Sequence, residues 1–186
     1  IESLIKGGLK NIIIIGTCLE YGDYGGEINE NMEPNPNTKY GQAKNILRSK
    51  LESLKLQYNF NLAWLRLFYL YGGEKKTNNL WGNINIAVNS KKQYFQISKG
   101  LQLRDYLHIK DVASYIKILS LINKDLGVLN ICSNDPISIK NLVNKWINDN
   151  NWKIKVESNA LKIKKHEKKD FWGSNKKLKS ILKYLQ

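Results

Sequence analysis

Residues 11–16 read N-I-I-I-I-G, and this run constrains the fold more than any other segment of the chain. Four β-branched residues in succession, without polar alternation, are typical of a strand that is buried on both faces of a parallel sheet. Neighbouring parallel strands need a crossover connection, which is usually a helix. The sequence therefore predicts an α/β fold whose first strand leads into a crossover helix.

The segments that follow supply the rest of a strand–helix–strand unit. Residues 40–58 predict the helix, because Leu47, Leu51 and Leu54 recur on one stripe, and residues 61–68 (N-L-A-W-L-R-L-F) predict the second buried strand. The alternation continues without a repeat or a flexible linker, which favours one α/β architecture. The other predicted elements are strands at residues 94–97, 127–132 and 153–156 and helices that begin near residue 78, at Asp111, after a cap at Ser138 and after a cap at Ser174.

The charge of the chain raises the hypothesis of a nucleic-acid-binding protein. Thirty Lys and Arg stand against sixteen Asp and Glu, which gives a net charge of +14. Eleven of these lysines and only three acidic residues lie beyond residue 150, so +8 of the excess falls in the C-terminal segment, which includes the run at residues 162–169. Lysine without arginine reads bases poorly. Nucleic acid is therefore an unlikely partner, although a basic nucleic-acid-binding protein stays the alternative hypothesis.

Cysteine and hydropathy patterns exclude several other classes. Cys18 and Cys132 lie far apart and fit no metal-ligand spacing, so we expect neither a metal site nor a disulfide framework. No apolar run approaches the roughly 20 residues of a membrane-spanning helix. These features predict a protein of a reducing compartment, with a cytoplasmic location and no membrane span.

Two short patterns carry the chemistry. Tyr40 and Lys44 form Y-x-x-x-K and lie one turn apart on one helical face, where the ammonium favours the phenolate form of the tyrosine. Thr17 follows the first buried strand, and ligands of parallel sheets bind beyond the carboxyl ends of the strands. Taken alone, Y-x-x-x-K also fits an ordinary surface pair.

Five ordered motifs together resemble a known family. They are the Thr-ended strand before Tyr21-Gly22, Y-G-Q-A-K at residues 40–44, L-R-L-F-Y-L-Y-G at residues 65–72, R-D-Y-L-H-I-K-D-V at residues 104–112 and G-V-L-N-I-C-S at residues 127–133. This set is similar to that of extended short-chain dehydrogenases/reductases, the NAD-dependent epimerase/dehydratase family, which act on nucleotide sugars. The resemblance implies the C-terminal part of a Rossmann-type parallel sheet with a smaller α/β substrate-binding lobe.

The resemblance also implies catalytic and cofactor-binding roles. Tyr40 would give a proton to the substrate oxygen, Thr17 would bind the same oxygen, and Lys44 would bind the nicotinamide ribose. The backbone of Leu67 and Phe68 would lie near the carboxamide of the cofactor, which is NAD or NADP.

Four further residues are implied in binding a nucleotide-diphosphate sugar. Arg104 would neutralise the diphosphate, a role that suits its rigid guanidinium fork. Tyr69 stands where the family usually has an Asn that contacts the diphosphate. Cys18 and Glu20 leave the same strand as Thr17 and would touch the sugar, with a purely structural role as the alternative for each.

Finer features favour one subfamily and argue against dehydration. G-T-C-L-E-Y-G at residues 16–22 and F-W-G at residues 171–173 look most like nucleotide-sugar 4-ketoreductases of the 6-deoxy-talose 4-dehydrogenase type. Sugar 4,6-dehydratases of this family carry Asp-Glu where this chain has Cys18-Leu19. The resemblance thus implies reduction or epimerisation at C4, and a homodimer through the Tyr40 helix.

The resemblance also implies a missing segment. No strand, Gly-rich turn and helix precede Asn11, and the glycines at 22, 25 and 26 lead into an extended acidic segment. We expect the C-terminal portion of a reductase, as a fragment, a piece of a split gene or a decayed and catalytically inactive copy. Residues 1–75 would be the remaining Rossmann part and residues 76–186 mainly the substrate lobe, with a return to the sheet near 106–133.

Overall fold

The structure is a computed structural model that describes residues 1–73, 79–161 and 170–184. Within these ranges, two or three strands lie between each α-helix and the next. The helices are α1 (Glu2–Lys6), α2 (Lys39–Lys55), α3 (Leu80–Asn89), α4 (Ile109–Ser120), α5 (Ile139–Asp149) and α6 (Lys176–Lys183), and a 3₁₀ helix covers Cys18–Tyr21. The strands are β1 (Asn11–Thr17), β2 (Gly26–Ile28), β3 (Asn61–Leu67), β4 (Tyr69–Tyr71), β5 (Tyr94–Gln96), β6 (Leu103–Arg104), β7 (Tyr106–His108), β8 (Gly127–Ile131), β9 (Ile137–Ser138), β10 (Lys155–Glu157) and β11 (Phe171–Gly173).

The central sheet has the strand order β1–β3–β8, and both pairings are parallel. Its middle strand sends alternate side chains to opposite faces. Leu62 and Trp64 lie in a core with residues of α1 and α2, whereas Ala63 and Leu65 lie in a core with residues of α4 and α6. Helices therefore cover both faces, which explains why β1 and β3 read as continuous apolar runs. The predicted α/β class with a parallel sheet is confirmed.

Apart from the two cores on the faces of the central sheet, a second core region lies around α3, α5 and the two-stranded parallel sheet of β5 and β10. Trp146 of α5 is buried at its centre, and its ring centroid lies 5.2 Å from that of Tyr71 and 5.7 Å from that of Tyr106. These tyrosines belong to β4 and β7, which pair with each other in parallel. Because β4 begins two residues after β3 ends, the aromatic contacts join the central sheet to the second core.

The last strand, β11, lies inside a mixed four-stranded sheet of order β2–β11–β6–β9. β11 pairs in parallel with β2 and with β6, and β9 pairs antiparallel to β6. Phe171 of β11 stacks on Phe68, the residue directly after β3, with 5.2 Å between the ring centroids. This sheet therefore lies beside the carboxyl ends of the central strands.

The main elements follow the sequence pattern closely. The strands predicted at residues 11–16, 61–68, 94–97 and 127–132 are confirmed as β1, β3, β5 and β8, and the helix predicted over residues 40–58 is confirmed as α2. The strand predicted at residues 153–156 is β10, displaced by about two residues. Ser138 caps α5 as predicted, because its hydroxyl oxygen accepts from the backbone N–H of Asn141.

Two predicted helix starts are wrong. α4 begins at Ile109, with His108 as the N-cap, because the Nδ1 atom of His108 accepts from the N–H of Lys110; Asp111 lies within the first turn. α6 begins after Asn175, since the N–H of Ser174 donates to the carbonyl oxygen of Ile28. Ser174 is thus held by β2 and does not cap the helix.

Other predictions touch residues outside the described ranges. The helix expected from residue 78 begins at Leu80 with Asn79 as its cap, and residue 78 itself lies outside those ranges, as do residues 162–169. The boundary near residue 75 also lies outside them, so the division into residues 1–75 and 76–186 stays a prediction. Within the predicted return at 106–133, β8 pairs with β3.

Candidate active site

The carboxyl ends of the three central strands meet at one edge of the sheet. Thr17 of β1 pairs with Leu67 of β3, and Leu67 pairs with Ile131 of β8. Thr17 is buried, and its hydroxyl oxygen accepts from the N–H of Leu19, 3.3 Å away, as the cap of the 3₁₀ helix. The fold thus places the predicted Thr17 at the edge where ligands of parallel sheets bind.

The helix α2 brings Tyr40 and Lys44 towards the same edge. It begins after Thr38, whose hydroxyl oxygen accepts from the N–H of Gly41. The side-chain Nζ of Lys44 donates to the carbonyl oxygen of Ile15 at 2.8 Å and lies 5.8 Å from the centroid of the Tyr40 ring. Tyr40 is 53% exposed, so a large part of its side chain is accessible to solvent.

A close backbone approach sets the position of Tyr40. Gly41 is buried, and a Cβ atom at this position would lie 2.5 Å from the carbonyl oxygen of Leu19. Only glycine therefore allows α2 to contact the 3₁₀ helix that follows Thr17. The Y-G-Q-A-K motif thus holds both the Tyr40–Lys44 pair and the contact that brings α2 near the 3₁₀ helix after Thr17.

The predicted cofactor-side residues lie at the end of β3. Phe68 is buried, and its N–H donates to the carbonyl oxygen of Ile131 at 3.1 Å. Leu67 is half-buried in the adjoining position. The backbone at this point is fixed by the neighbouring strand β8, next to Thr17.

Tyr69 and Arg104 lie together beyond these strand ends. The Tyr69 ring stacks on that of Tyr106, with 5.3 Å between centroids. Burial raises the pKa of Tyr69, the nearby Cys18 acts in the same direction, and the hydrogen-bonded guanidinium of Arg104 opposes them. Arg104 is buried and its Nη1 atom donates to the carbonyl oxygen of Leu103 at 2.7 Å.

Glu20 lies in the interior, which favours the structural role that the sequence left open over a contact with a sugar. Glu20 is 0% exposed, and its carboxylate accepts from the Thr17 N–H, the Trp64 indole and the Arg66 Nε. Arg66 was the overlooked signal, because a charge inside a buried strand needs a partner. Cys18 is also buried, in a cluster with Phe68 and other residues.

Asp105 is a further residue that the motif contains and the sequence analysis did not single out. It is fully buried, and one carboxylate oxygen accepts from the N–H and hydroxyl of Ser133 at 2.7 Å each. The other accepts from the N–H groups of Asn134 and Gly173. Asp105 therefore ties the chain beside Arg104 to the segment after β8 and to β11.

The donor set suits the nicotinamide end of a dinucleotide. Lys44 carries three N–H donors, one of which binds Ile15, so the ammonium can also bind vicinal hydroxyls of a ribose. Within residues 1–73, 79–161 and 170–184, no strand is followed by a Gly-rich turn at a helix N-terminus that would bind the pyrophosphate. The residues near Lys44 therefore fit one end of such a cofactor.

The described residues, 1–73, 79–161 and 170–184, contain neither a cluster of candidate metal ligands nor a helix suited to spanning a membrane. No group of three His, Cys, Asp or Glu side chains there is arranged to hold a metal ion. Of the helices in these ranges, none combines the length and apolar composition that crossing a bilayer requires.

Comparison with known proteins defines the class. A family model described as the NAD dependent epimerase/dehydratase family matches residues 1–132. This match covers more than half of the chain, and the chain belongs to this family. The resemblance inferred from the five motifs is thereby confirmed.

Individual relatives are longer than this chain. The dTDP-6-deoxy-L-talose 4-dehydrogenase (NAD(+)) of Aggregatibacter actinomycetemcomitans is 33% identical over 175 residues, which are 94% of this chain and 64% of that protein. The chain thus spans less than two thirds of that relative.

Solved structures agree in fold. The UDP-N-acetylglucosamine 4-epimerase from Methanobrevibacter ruminantium M1, in complex with UDP-N-acetylmuramic acid, has a TM-score of 0.86 at 19% identity, covering 97% of this chain and 59% of its own. The UDP-glucuronic acid 4-epimerase from Bacillus cereus, in complex with UDP-glucuronic acid and NAD, has a TM-score of 0.83 at 22% identity, covering 98% and 58%. At these identities the structures establish the fold alone.

Proposed function

We propose that this protein carries out the NAD(P)-dependent reduction of a keto group at C4 of a nucleotide-linked deoxysugar. The observation that carries the proposal is the placement of Tyr40 and Lys44 against the carboxyl end of β1, beside Thr17. The 33% identity to a dTDP-6-deoxy-L-talose 4-dehydrogenase supports the reaction and the sugar class.

Each of the three residues has one step in this reaction. When bound, a reduced nicotinamide would supply the hydride for the new C4–H bond and would leave oxidised, and the residues of this chain do the rest. Tyr40 donates its hydroxyl proton to the oxygen of the former carbonyl, which completes the alcohol. Thr17 donates a hydrogen bond to the same oxygen and orients it. Lys44 binds the ribose and stabilises the phenolate that Tyr40 becomes.

Substrate binding is assigned to the group beyond the strand ends. Arg104 binds the diphosphate, and Tyr69, which is hydrogen-bonded to Arg104, lies beside it. Cys18 lines the strand exit, while Leu67 and Phe68 lie near the cofactor carboxamide. Reduction or epimerisation is favoured over dehydration, because Cys18-Leu19 offers no carboxyl pair for removing water.

The two edges of the central sheet support a further part of the proposal. At the β8 edge, the Nζ of Lys177 donates to the carbonyl oxygens of Leu126 and Val128, and the N–H of Asn130 donates to Glu30. Side chains that occupy its backbone groups prevent another strand from pairing at an edge. The sheet therefore ends at β8.

At the β1 edge one lysine also occupies a backbone carbonyl, but the surrounding surface differs. Beside the Lys44 bond to Ile15, its flank is apolar: Ile15 is 37% exposed and lines a groove of about 420 Å³ with Ile13, Ile116 and Leu119. A β-branched strand of this kind is typical of a sheet interior. We propose that the cofactor-binding half of the enzyme continues the sheet beside β1 and is encoded outside these 186 residues.

Two further assignments rest on single observations. A homodimer through α2 is supported by the exposure of Ile46, an apolar residue on the same helix as Tyr40. A cytoplasmic location is supported by the free thiols of Cys18 and Cys132.

The test is a hydride-transfer assay on the full gene product. Oxidation of NADH and of NADPH is followed at 340 nm with dTDP- and UDP-linked 4-keto-6-deoxyhexoses. We expect turnover with one cofactor, and loss of most of the rate in Tyr40→Phe but not in the control Tyr184→Phe. Absence of turnover with every pair, in a protein that binds the cofactor, would overturn the proposed reaction.

A further inference from the structure

The buried carboxylate of Glu20 joins the two parts of the candidate site. Its Oε1 atom accepts from the backbone N–H of Thr17 at 2.8 Å, so the residue that presents the threonine hydroxyl is held directly by this carboxylate. Thr17 in turn caps the 3₁₀ helix on which Glu20 lies, and the two residues form a reciprocal capping box.

The same carboxylate is fixed from the sheet. The Nε1 atom of Trp64 lies 3.0 Å from both of its oxygens, and the Nε atom of Arg66 donates to Oε2 at 2.8 Å. Both donors belong to β3, the middle strand. Glu20 is 0% exposed, so its oxygens are held by protein donors and are not reached by solvent.

A third connection reaches α2. The Nε atom of Arg48 lies 4.0 Å from the Oε2 atom of Glu20, and the Arg48 side chain is 14% exposed. Arg48 follows Tyr40 by eight residues and Lys44 by four, so the three share one face of the helix. The helix face that carries the proton donor is therefore tied to the carboxylate that holds Thr17.

We infer that Glu20 is a positioning residue that fixes Thr17 relative to the Tyr40–Lys44 face of α2. Glu20 is not a catalytic residue, because no atom of it reaches the surface where a substrate binds. The inference rests on the proposed function for its catalytic consequence, but the geometric part can be measured without turnover.

The first experiment is amide hydrogen exchange on the full gene product, comparing wild type with Glu20→Gln. The amide keeps the shape of the side chain but removes the charge and one acceptor. We expect faster exchange in residues 17–22 and in the first turns of α2, with unchanged exchange in α5. Unchanged exchange at Thr17, or an equal rise everywhere, would mean that Glu20 only adds stability and would overturn the inference.

A second variant covers the case in which Glu20→Gln fails to fold, since Arg66 would lose its buried partner. Arg48→Gln removes the connection between Glu20 and α2, together with the bonds from Arg48 to Glu52 and Asn45 on the same helix. The matched control is Glu52→Gln, because Glu52 pairs with Arg48 on the surface and leaves the Arg48–Glu20 pair in place. We expect local exchange in α2 to rise in Arg48→Gln and not in Glu52→Gln; the same rise in both would overturn the link.

Steady-state kinetics test the catalytic consequence. Small misplacements of reacting groups cost up to about 100-fold in rate, so we expect kcat of Glu20→Gln to fall at least about tenfold with the KM for the sugar nearly unchanged. A changed KM with an unchanged kcat would contradict the positioning role. If the wild type shows no turnover, the proposed function fails, while the exchange experiments still decide the position of Thr17.

Discussion

The Nζ atom of Lys44 donates a hydrogen bond to the carbonyl oxygen of Ile15 at 2.8 Å, and this bond joins α2 to the edge of β1 two residues before Thr17. The bond directs the ammonium to the end of the strand, while the 5.8 Å distance to the Tyr40 ring keeps it beside the phenol. Lys44 thus has a structural partner and a position suited to a bound ribose.

Replacement of Lys44 by Met should weaken cofactor binding more than it weakens the fold. The hydrogen bond to Ile15 contributes about 1 kcal/mol to the free energy of unfolding, because it lies near the surface. Cofactor affinity is measured by fluorescence titration with NADH and NADPH, and stability by urea unfolding. Lys50→Met is the control, since Lys50 is an exposed residue of the same helix that pairs with Glu2; equal affinity in both variants would remove Lys44 from the site.

Replacement of Gly41 by Ala should lower both stability and turnover. In the interior of a helix, alanine is normally more favourable than glycine by about 1 kcal/mol. Here its methyl group would lie 2.5 Å from the Leu19 carbonyl oxygen, so α2 must move away from the 3₁₀ helix. The measurements are urea unfolding and the 340 nm assay. As a control, Ala43→Gly on the exposed side of α2 should lose stability but keep kcat, whereas a stabilised and active Gly41→Ala would show that the close approach is unimportant.

Asp105→Asn should destabilise the protein by roughly 2 to 3 kcal/mol, because hydrogen bonds to a buried charge are stronger than neutral ones. Four donors contact this carboxylate, from Ser133, Asn134 and Gly173. Urea unfolding measures the loss, and the exposed Asp135→Asn is the control. A change below about 0.5 kcal/mol would mean that the amide in Asp105→Asn stabilises these donors no less than the Asp105 carboxylate does.

The sequence predicts the central sheet because its strands are buried on both faces and are therefore made of consecutive apolar residues. β1 and β3 are covered on both faces and read as apolar runs. The apolar residues of α2 recur at helical spacing, on the face that packs against the sheet. The mixed sheet is different: Phe171–Gly173 is a three-residue strand whose partners, Gly26–Ile28 and Arg104, are remote in sequence. Strands this short carry no period, so their pairing is decided by tertiary contacts.

The site divides in the same way. Tyr40, Lys44 and Thr17 stand in motifs and could be predicted, whereas the role of Glu20 depends on which donors the fold brings to it. Arg66 and Trp64 face Glu20 only after β1 and β3 pair. From sequence, a contact with the sugar and a structural role are both open for Glu20, and the buried ion pair with Arg66 favours the structural role.

Alkaline pH should destabilise the folded chain through Cys132. Burial raises the pKa of this thiol well above its ordinary value of 9.0, and the nearby Asp105 acts in the same direction. The folded state therefore holds a proton that the unfolded state releases, so stability is fully present below pH 9 and falls as the pH rises above it. Burial also raises the pKa of Tyr21 to about 12, which extends the loss to higher pH.

Urea unfolding between pH 7 and pH 11 measures this dependence. In Cys132→Ala the free energy of unfolding should be lower at pH 7, because the variant leaves a small cavity, but its fall between pH 9 and pH 11 should be shallower than in wild type. Tyr184→Phe, at an exposed tyrosine, should keep the wild-type slope. Parallel slopes in Cys132→Ala and wild type would mean that the thiol ionises as readily in the folded protein as in the unfolded chain.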